Sequence, residues 1–359
     1  MKRNGAGLAS ICILSTMVLV MMLGAGSLYF GAEDSLKTRY PKDISVSVDF
    51  VSYEEDQVYT SEKEENFLAE IHQILNTYNV TPQNEECYLS SSTVGMLGEG
   101  KLIANPEIVN TANMDTMEKV TQIYFVPLDE YNDCMGTKET LGEGEVLIHC
   151  IRRSYDDPKI VLSDGTVLTI KKQVDAMMGS GDAAMDIIPS VFIVVNDMEA
   201  MIDSINSEFT NEDYYCRPEL HYGFDIGLEA EEEIRLAEEI RAHVRELDYS
   251  GEGGFYSYSV ECREAERDDF YGTYGGIFYL GVILSIVFVL ATVLIIYYKQ
   301  VTEGYEDESR FAIMQKVGMT RKDIRKSINS QMLMVFFLPL AAAVLHLSFA
   351  FPMVQKLLA

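Results

Sequence analysis

Charged residues are missing from three long stretches of the sequence. No Asp, Glu, Lys or Arg lies in the 29 residues between Arg3 and Glu33, between Asp269 and Lys299, or between Lys326 and Lys356. A helix needs about 20 apolar residues to cross about 30 Å of hydrocarbon, and each stretch is long enough to do so. The sequence therefore excludes an entirely soluble chain and predicts three membrane spans, at 1–31, 271–298 and 331–354.

The first stretch has one alternative interpretation, a signal peptide, because Lys2 and Arg3 precede its apolar run. That run is longer than the apolar part of a signal peptide. Glu33 and Asp34 then follow where small residues would mark a cleavage site. We therefore expect a retained span over 1–31.

Catalytic and metal-binding motifs are also missing. None of the five histidines forms an HExxH pair, no GxSxG elbow is present, and the six cysteines match no zinc spacing. The segment GMLGEGKL at 95–102 approaches a phosphate-binding loop, but Leu102 stands where a hydroxyl should bind magnesium. These absences predict that the chain is not an enzyme and holds no metal or other cofactor. One or two disulfides remain an option, with the pairing open.

Basic residues predict the orientation in the membrane, because they stay on the cytoplasmic side. Lys2 and Arg3 precede the first span, and seven basic residues lie between the second and third. We therefore predict a multi-pass protein of the cell membrane with a cytoplasmic N-terminus. A cytoplasmic loop covers 299–330, and an extracellular domain covers 32–270.

The extracellular domain carries almost all of the acidic excess. Residues 32–270 contain 18 Lys and Arg against 51 Asp and Glu, a net charge of −33. Such a charge excludes nucleic acid as a partner and attracts cations or cationic peptides. An acidic surface that only keeps the domain soluble is the alternative.

Residue patterns predict that this domain mixes helices and strands. Strands are expected at 43–50, 121–128 and 188–197, and a hairpin with an Asp-Gly turn at 161–170. One helix begins at Ser61, as N-cap, with Glu64 completing a capping box. A second covers 229–247, with acidic residues in its first turn. The fold class is thus a helical membrane protein with a large extracellular α/β domain.

The predicted cytoplasmic loop contains an apolar stripe. Phe311, Met314 and Val317 recur at helical spacing, and Ile313 lies beside them. The stripe predicts a short amphipathic helix between two spans. Such a helix either lies among lipid headgroups or docks into a groove of another protein. The acidic run 306–308 favours docking, because a purely lipid-binding helix avoids negative charge beside an anionic surface.

A turn follows the stripe at once. Gly318 is typical of the residue just beyond a helix end, where a left-handed backbone costs glycine little. Thr320 is typical of an N-cap, and Asp323 three residues later is an acidic variant of the capping box. The pattern predicts a sharp corner, followed by a second helix that continues into the third span.

The stretch YEDESRFAIMQKVGMTRKDI resembles the signature of the FtsX-like permeases of ABC transporters. The positions that match this signature are Arg310, Ile313, Val317, Gly318, Thr320, Asp323 and Ile324. Three further stretches, 35–44, 121–132 and 291–319, resemble the bacitracin and lantibiotic branch of that family. The resemblance covers nearly the whole chain, and its FtsX-like permease region lies at about 271–354. It implies that the chain corresponds to the C-terminal part of a ten-span permease, without the last helix.

The resemblance implies a function and partners. An ATP-binding-cassette ATPase subunit would dock on a coupling helix, whose contact residues are Arg310, Phe311, Ile313, Met314, Val317, Gly318 and Met319. Its motion would pass through the spans to the segments at 37–43 and 263–269, where the extracellular domain begins and ends. In this branch that domain handles peptide antibiotics or lipid-linked cell-wall precursors, often with a membrane histidine kinase as a further partner. Membrane lipid would surround the spans.

Two further interpretations come from the same residues. Gly272, Gly275 and Gly276 would serve as a hinge where the second span meets the extracellular domain, although glycine near a helix end often has no such role. The alternative function is a membrane receptor or scaffold that binds an extracellular ligand without an ATPase partner.

Overall fold

The computed structural model describes residues 5–50, 60–107, 119–185, 188–209, 211–250, 255–318 and 320–358. By internal contacts the chain divides into two compact units. The helical unit contains Met1–Glu33 and Asp268–Ala359, and the α/β unit contains Asp34–Arg267. This division lies within a few residues of the limits 32–270 that the charge distribution predicts.

The described residues form the following elements, in chain order. The helices are α1 (Gly5–Phe30), α2 (Ala32–Arg39), α3 (Ser61–Thr77), α4 (Leu128–Met135), α5 (Ser180–Met185), α6 (Met198–Asn206), α7 (Ala230–Ser250), α8 (Arg263–Lys316) and α9 (Arg321–Leu358). The strands are β1 (Ile44–Phe50), β2 (Gln83–Gly98), β3 (Lys101–Ala104), β4 (Val120–Pro127), β5 (Glu145–Ile151), β6 (Lys159–Val161), β7 (Val167–Gln173), β8 (Ser190–Val195), β9 (Glu219–Asp225) and β10 (Phe255–Cys262).

Small and aromatic residues pack the helices of the helical unit. A Cβ added to Gly281 of α8 would lie 2.7 Å from the Cβ of Ala25 on α1, so glycine lets the two backbones approach closely. One turn further along, Tyr29 stacks on Phe278 with ring centroids 5.1 Å apart. The α1 and α9 helices are also in contact.

Among the residues that the structure describes, two helices are long and apolar enough to cross a membrane. They are Ala9–Phe30, whose apolar 18-residue window has mean hydropathy 2.2, and the part of α8 from Arg263 to Ser309, whose apolar window has mean hydropathy 2.9. Only 11% of each apolar window is buried, as expected for surfaces that face lipid. Among the described residues of α9, the apolar run is shorter, at Phe337–Ala350. The third predicted span therefore stays a prediction.

The sheet of the α/β unit has two parts. The strand order is β10-β1-β9-β2-β3-β6-β7-β5-β8-β4, and β2 pairs with β4 as well. The strands from β2 to β4 thus close on themselves around an apolar core, whereas β10, β1, β9 and the start of β2 form an open antiparallel sheet. Buried and less buried residues alternate along β1, so the open sheet has one apolar and one polar face.

The apolar face of the open sheet is covered by α3 and α7. Phe67, Ile71 and Leu75 of α3 are buried there, as their helical spacing predicts. The N-cap of α3 is Thr60, whose side chain accepts a hydrogen bond from the Lys63 amide at 3.2 Å. The prediction of Ser61 as the N-cap was wrong by one residue, because the hydroxyls of Thr60 and Ser61 are both suited to cap a helix.

The segment that approaches a phosphate-binding loop is a β-hairpin. β2 and β3 pair through Gly98 and Lys101, and the two residues between them, Glu99 and Gly100, have φ of 54° and 74°. Positive φ at both central positions defines a type I′ turn, which joins antiparallel strands. A phosphate loop instead leads from a strand into a helix, so this geometry agrees with rejecting a nucleotide site here.

Candidate functional site

The apolar stripe near residue 313 lies at the end of a long helix. α8 runs from Arg263 to Lys316 as 54 residues without a break. The expectation of a short separate helix after Lys299 was therefore wrong. Gly304 and the charged residues around it are typical of a loop. Lys299 and Glu303, however, pair one turn apart at 3.9 Å, and such pairs stabilise a helix.

Three apolar side chains are exposed at the end of α8, two in its last turns and the third at Val317, the residue that follows the helix. The exposed fraction is 62% for Ile313, 43% for Met314 and 84% for Val317, whereas Phe311 is only half-buried. Exposed apolar residues that share one helix face are typical of a surface that binds a partner or lipid. The side chain of Arg310 and all of Met319 lie outside the described residues.

The chain turns immediately after this face. The amide of Gly318 donates to the carbonyl of Gln315 at 3.1 Å, and Gly318 has φ of +107°. This φ lies in a region that side-chain-bearing residues rarely adopt, so glycine is required at the corner. Only the short turn at Gly318 therefore separates the exposed face from the start of α9.

The next helix begins with a reciprocal pair of hydrogen bonds. The Asp323 amide donates to Thr320 Oγ1 at 3.3 Å, and the Thr320 amide donates to Asp323 Oδ2 at 3.3 Å. The Thr320 hydroxyl also donates to Asp323 Oδ2. These bonds satisfy the Thr320 amide and give the Asp323 amide a side-chain acceptor in addition to the Thr320 carbonyl, to which it donates at 3.1 Å. The arrangement fixes where the second arm of the corner starts.

Replacing Thr320 with alanine will loosen the start of α9. Loss of an N-cap costs about 1 kcal/mol, so the Asp323 amide should exchange its hydrogen about fivefold faster. Hydrogen exchange followed by mass spectrometry on the full chain measures this rate. Serine at the same position keeps the hydroxyl and should exchange like the wild type; equal acceleration in the serine and alanine variants would contradict the cap.

The predicted hinge glycines lie inside α8. Gly272, Gly275 and Gly276 all fall within the helix, and none has a positive φ. A Cβ added at Gly272 or Gly276 would meet no atom within 4 Å, and one at Gly275 would make an ordinary 3.8 Å contact with Tyr29. Packing therefore does not require glycine at these positions, and the hinge stays a prediction.

The two chain segments that lead to the predicted spans meet within the α/β unit. Arg263, the first residue of α8, pairs with Asp43, which directly precedes β1. The other Asp43 carboxylate oxygen accepts from the Ile226 amide at 2.6 Å. Arg39 at the end of α2 forms two hydrogen bonds to Glu261, at 2.9 and 3.2 Å. We call these four charged residues, Arg39, Asp43, Glu261 and Arg263, the joint.

A buried carboxyl group lies beside the joint. Glu233 is only 4% exposed, and its Oε1 accepts a weak hydrogen bond from the thiol of Cys262 at 3.6 Å. Burial, followed by the negative charge of Asp43, raises the pKa of Glu233 to about 7. Because the charged form is disfavoured, the side chain takes up a proton near neutral pH.

The joint was missed in the sequence. Its pairs join residues that are 222 and 220 positions apart, and no local pattern reports such a distance. Their only sequence signal is that each arginine lies at the end of a segment connecting to a predicted span. All six cysteines are free in the structure, so no disulfide links the segments that form the joint.

Comparison with known proteins gives a family match and two distant relatives. The FtsX-like permease C-terminal family matches residues 282–359, which include the corner and α9. ABC transporter permease protein YxdM of Bacillus subtilis is 26% identical over an alignment of 121 residues, covering 26% of this chain and 20% of the relative. Bacitracin export permease protein BceB of Halalkalibacterium halodurans is 24% identical over 163 residues, covering 45% of this chain and 23% of the relative. The matched part of the chain thus spans about a fifth of the length of these curated relatives.

Proposed function

We propose that the chain acts as a permease subunit driven by a separate ATPase, because its residues 282–359 match the FtsX-like permease C-terminal family. Family members are transporter permeases rather than enzymes. The ATP-binding-cassette partner would bind the exposed face of Ile313, Met314 and Val317. The observation that carries the proposal is this exposed apolar face, which lies directly before the corner at Gly318.

Three features of the face support a protein partner. Its apolar side chains are exposed, and they lie at the end of α8, the helix that also contains the second predicted span. The acidic run 306–308 lies one to two turns before it, which disfavours burial among anionic headgroups. The turn at Gly318 and the cap at Thr320 keep the end of α8 close to the start of α9. A partner bound here could therefore move both helices.

The proposed motion travels along α8. This helix begins at Arg263, whose side chain is part of the joint, and it ends at the docking face. A displacement by a closing ATPase pair would therefore reach the first residue of α8 through continuous helix. No substrate needs to cross the bilayer centre in this scheme, and no ion path is required.

The extracellular role follows from charge and from the relatives. We place the N-terminus and the corner in the cytoplasm, and residues 32–270 outside, on the basis of the basic residues that flank the spans. The net charge of −33 on that domain would attract cationic peptides. One relative is named as a bacitracin export permease. We therefore assign to the domain the handling of peptide antibiotics or their complexes with lipid-linked cell-wall precursors, in resistance or sensing with a membrane histidine kinase.

Placing two aspartates on the docking face tests the proposal. The double variant Met314→Asp with Val317→Asp should abolish co-purification with the ATP-binding-cassette ATPase that the proposal requires, because two carboxylates cannot enter an apolar groove without a large desolvation cost. The measurement is affinity capture of the ATPase by the tagged full chain in detergent.

The matched control places the same two charges on the opposite face of the helix. Ala312 and Gln315 are both exposed and lie away from the stripe. The variant Ala312→Asp with Gln315→Asp should retain most of the ATPase. If both double variants capture as much ATPase as the wild type, the docking face is wrong and the receptor or scaffold alternative gains support.

A further inference from the structure

Two cysteines of the α/β unit lie beside each other. Cys87 is in the first half of β2, and Cys134 is in the last turn of α4. The Cys134 thiol donates a weak hydrogen bond to the Cys87 carbonyl, with a sulfur–oxygen distance of 3.6 Å, although 47 positions separate the two residues in the chain. Both side chains are half-buried, so neither is sealed inside the core.

The helix α4 lies along the first half of β2. Among the described strands, only β9 pairs with the segment 83–90 of β2. On that segment, α4 contacts β2 at two points. One is the hydrogen bond from Cys134 to Cys87. The other is at Glu130: burial raises the pKa of this carboxyl group to about 7, against a hydrogen bond from the Leu89 amide that lowers it.

The spacing of these two contacts is the same on both elements. Glu130 and Cys134 are one helical turn apart, which is about 6 Å along the helix axis. Leu89 and Cys87 are two strand residues apart, which is about 6.7 Å. The helix and the strand therefore match in register, with Glu130 beside Leu89 and Cys134 beside Cys87.

The hydrogen bond alone does not explain a cysteine at position 134. A thiol is a weak donor, and the hydroxyl of a serine would donate more strongly to the Cys87 carbonyl. Burial, followed by the charges of Glu86 and Glu130, raises the pKa of Cys134 to about 11. Burial, followed by the charges of Glu64 and Glu130, raises the pKa of Cys87 to about 12. Neither thiol is therefore activated as a metal ligand or as a catalytic nucleophile at neutral pH.

The backbone spacing suits a bond between the two sulfurs. A carbonyl oxygen lies about 2.4 Å from the Cα of its own residue, so the Cys134 sulfur lies within about 6 Å of the Cys87 Cα. Cysteines joined by a disulfide have Cα atoms about 4.4–6.8 Å apart. The bond thus requires rotation of both side chains and a small shift at the end of α4. That helix ends one residue later, at Met135, so the shift does not disturb a longer element.

We propose that Cys87 and Cys134 form a disulfide when the α/β unit meets an oxidant. The assignment rests on the proposed function, because an extracellular domain meets the oxidising conditions in which disulfides persist. Residues of β2 up to Ser90 pair with β9 in the open sheet, and those from Ser91 pair with β4. Because α4 directly follows β4, the bond ties the helix after β4 to the open-sheet half of β2 and locks the two parts of the sheet together.

The bond forms by two successive thiol–disulfide exchanges with a small external disulfide. The Cys134 thiolate, which forms more readily than that of Cys87, attacks one sulfur of the reagent and releases one thiol. The Cys87 thiolate then attacks the Cys134 sulfur of the mixed disulfide and releases the second thiol. Two protein thiols are oxidised, one external disulfide is reduced, and the two protein protons pass to the released thiols.

Peptide mass spectrometry of the oxidised chain tests the pairing. The full chain in detergent is reduced, freed of reductant and incubated with bis(2-hydroxyethyl) disulfide, an uncharged reagent that the acidic domain neither attracts nor repels. Remaining thiols are blocked with N-ethylmaleimide before digestion. The wild type should yield a peptide pair linked through Cys87 and Cys134, which reductant separates. The Cys87→Ser variant should stop at the mixed disulfide on Cys134, because the second exchange has no thiol.

The bond should also stabilise the α/β unit. Closing a loop of this length should raise its unfolding temperature by about 4–16 °C, because the unfolded chain loses conformational freedom. Near-UV circular dichroism before and after oxidation measures the rise. Cys134→Ser should show no rise. Cys150→Ser, the matched control, removes another half-buried thiol on β5 and should rise like the wild type.

Three results would overturn the proposal. These are no Cys87–Cys134 peptide pair from the folded wild type, linkage of Cys87 mainly to another cysteine, or the same rise in unfolding temperature in the wild type and in Cys134→Ser. The oxidation needs no ATPase, so its outcome is separate from that of ATPase capture. If the disulfide does not form while the aspartates at 314 and 317 still abolish capture, the permease proposal stands. If it forms while the wild type captures no ATPase, the disulfide stands and the permease proposal fails.

Discussion

Replacing Arg263 with methionine will lower the unfolding temperature of the α/β unit by about 6–12 °C. The change leaves the Asp43 carboxylate, which is 8% exposed, without its cationic partner. Breaking a buried ion pair in this way costs about 3 kcal/mol, and each kcal/mol shifts the midpoint of a unit of this size by about 2–4 °C. Thermal unfolding of the full chain in detergent, followed by near-UV circular dichroism, measures the shift.

A matched arginine and a second-site change make this experiment decisive. Arg235 pairs with Glu232 on the surface of α7, where the side chains are 65% and 51% exposed. Arg235→Met should therefore cost less than about 1 kcal/mol. Adding Asp43→Asn to Arg263→Met removes the unpaired charge and should recover part of the loss. Equal shifts for the two single methionine variants would show that the joint contributes no more than a surface pair.

Replacing Glu233 with glutamine will stabilise the chain at pH 8 by up to about 3 kcal/mol, and will leave its stability at pH 4 unchanged. The pKa of Glu233 rises from 4.5 to about 7 on folding. The folded chain therefore binds this proton more tightly than the unfolded chain does, and the wild type loses stability as the pH rises from about 4.5 to 7. A shift of one pKa unit corresponds to about 1.36 kcal/mol, which sets the upper limit.

The measurement is the unfolding midpoint of both proteins between pH 4 and pH 8, the range set by the two pKa values. The difference between variant and wild type should grow with pH and level off above about 7. Glu238→Gln, on the exposed face of the same helix, should show no such growth. A difference that is constant over the whole range would mean that Glu233 does not change its protonation on folding.

Local patterns predicted local structure well. The alternation in 43–50 predicts β1, and the Asp-Gly turn between 161 and 170 predicts the hairpin of β6 and β7. Thr320 and Asp323 form the hydrogen bonds that their spacing predicts. In each case, the residues that decide the structure lie within about ten positions of one another, so the sequence displays them together.

Long-range structure could not be predicted in this way. The joint brings together the ends of α2 and β10 and the starts of β1 and α8, and only the pairing order of the strands makes them neighbours. The continuity of α8 was missed for a different reason. Its residues 299–309 are polar and include a glycine, which favours a loop, yet the helix on both sides and the pair of Lys299 with Glu303 maintain it.

The unbroken α8 has a consequence for how motion would travel. Its 54 residues correspond to a length of about 80 Å, of which a bilayer's hydrocarbon takes up about 30 Å. Within a continuous helix, backbone hydrogen bonds couple each turn to the next, so twist as well as tilt can pass along it. If an ATPase docks as we propose, rotation of the docking face about the axis of α8 would pass from turn to turn toward Arg263, whose guanidinium pairs with Asp43.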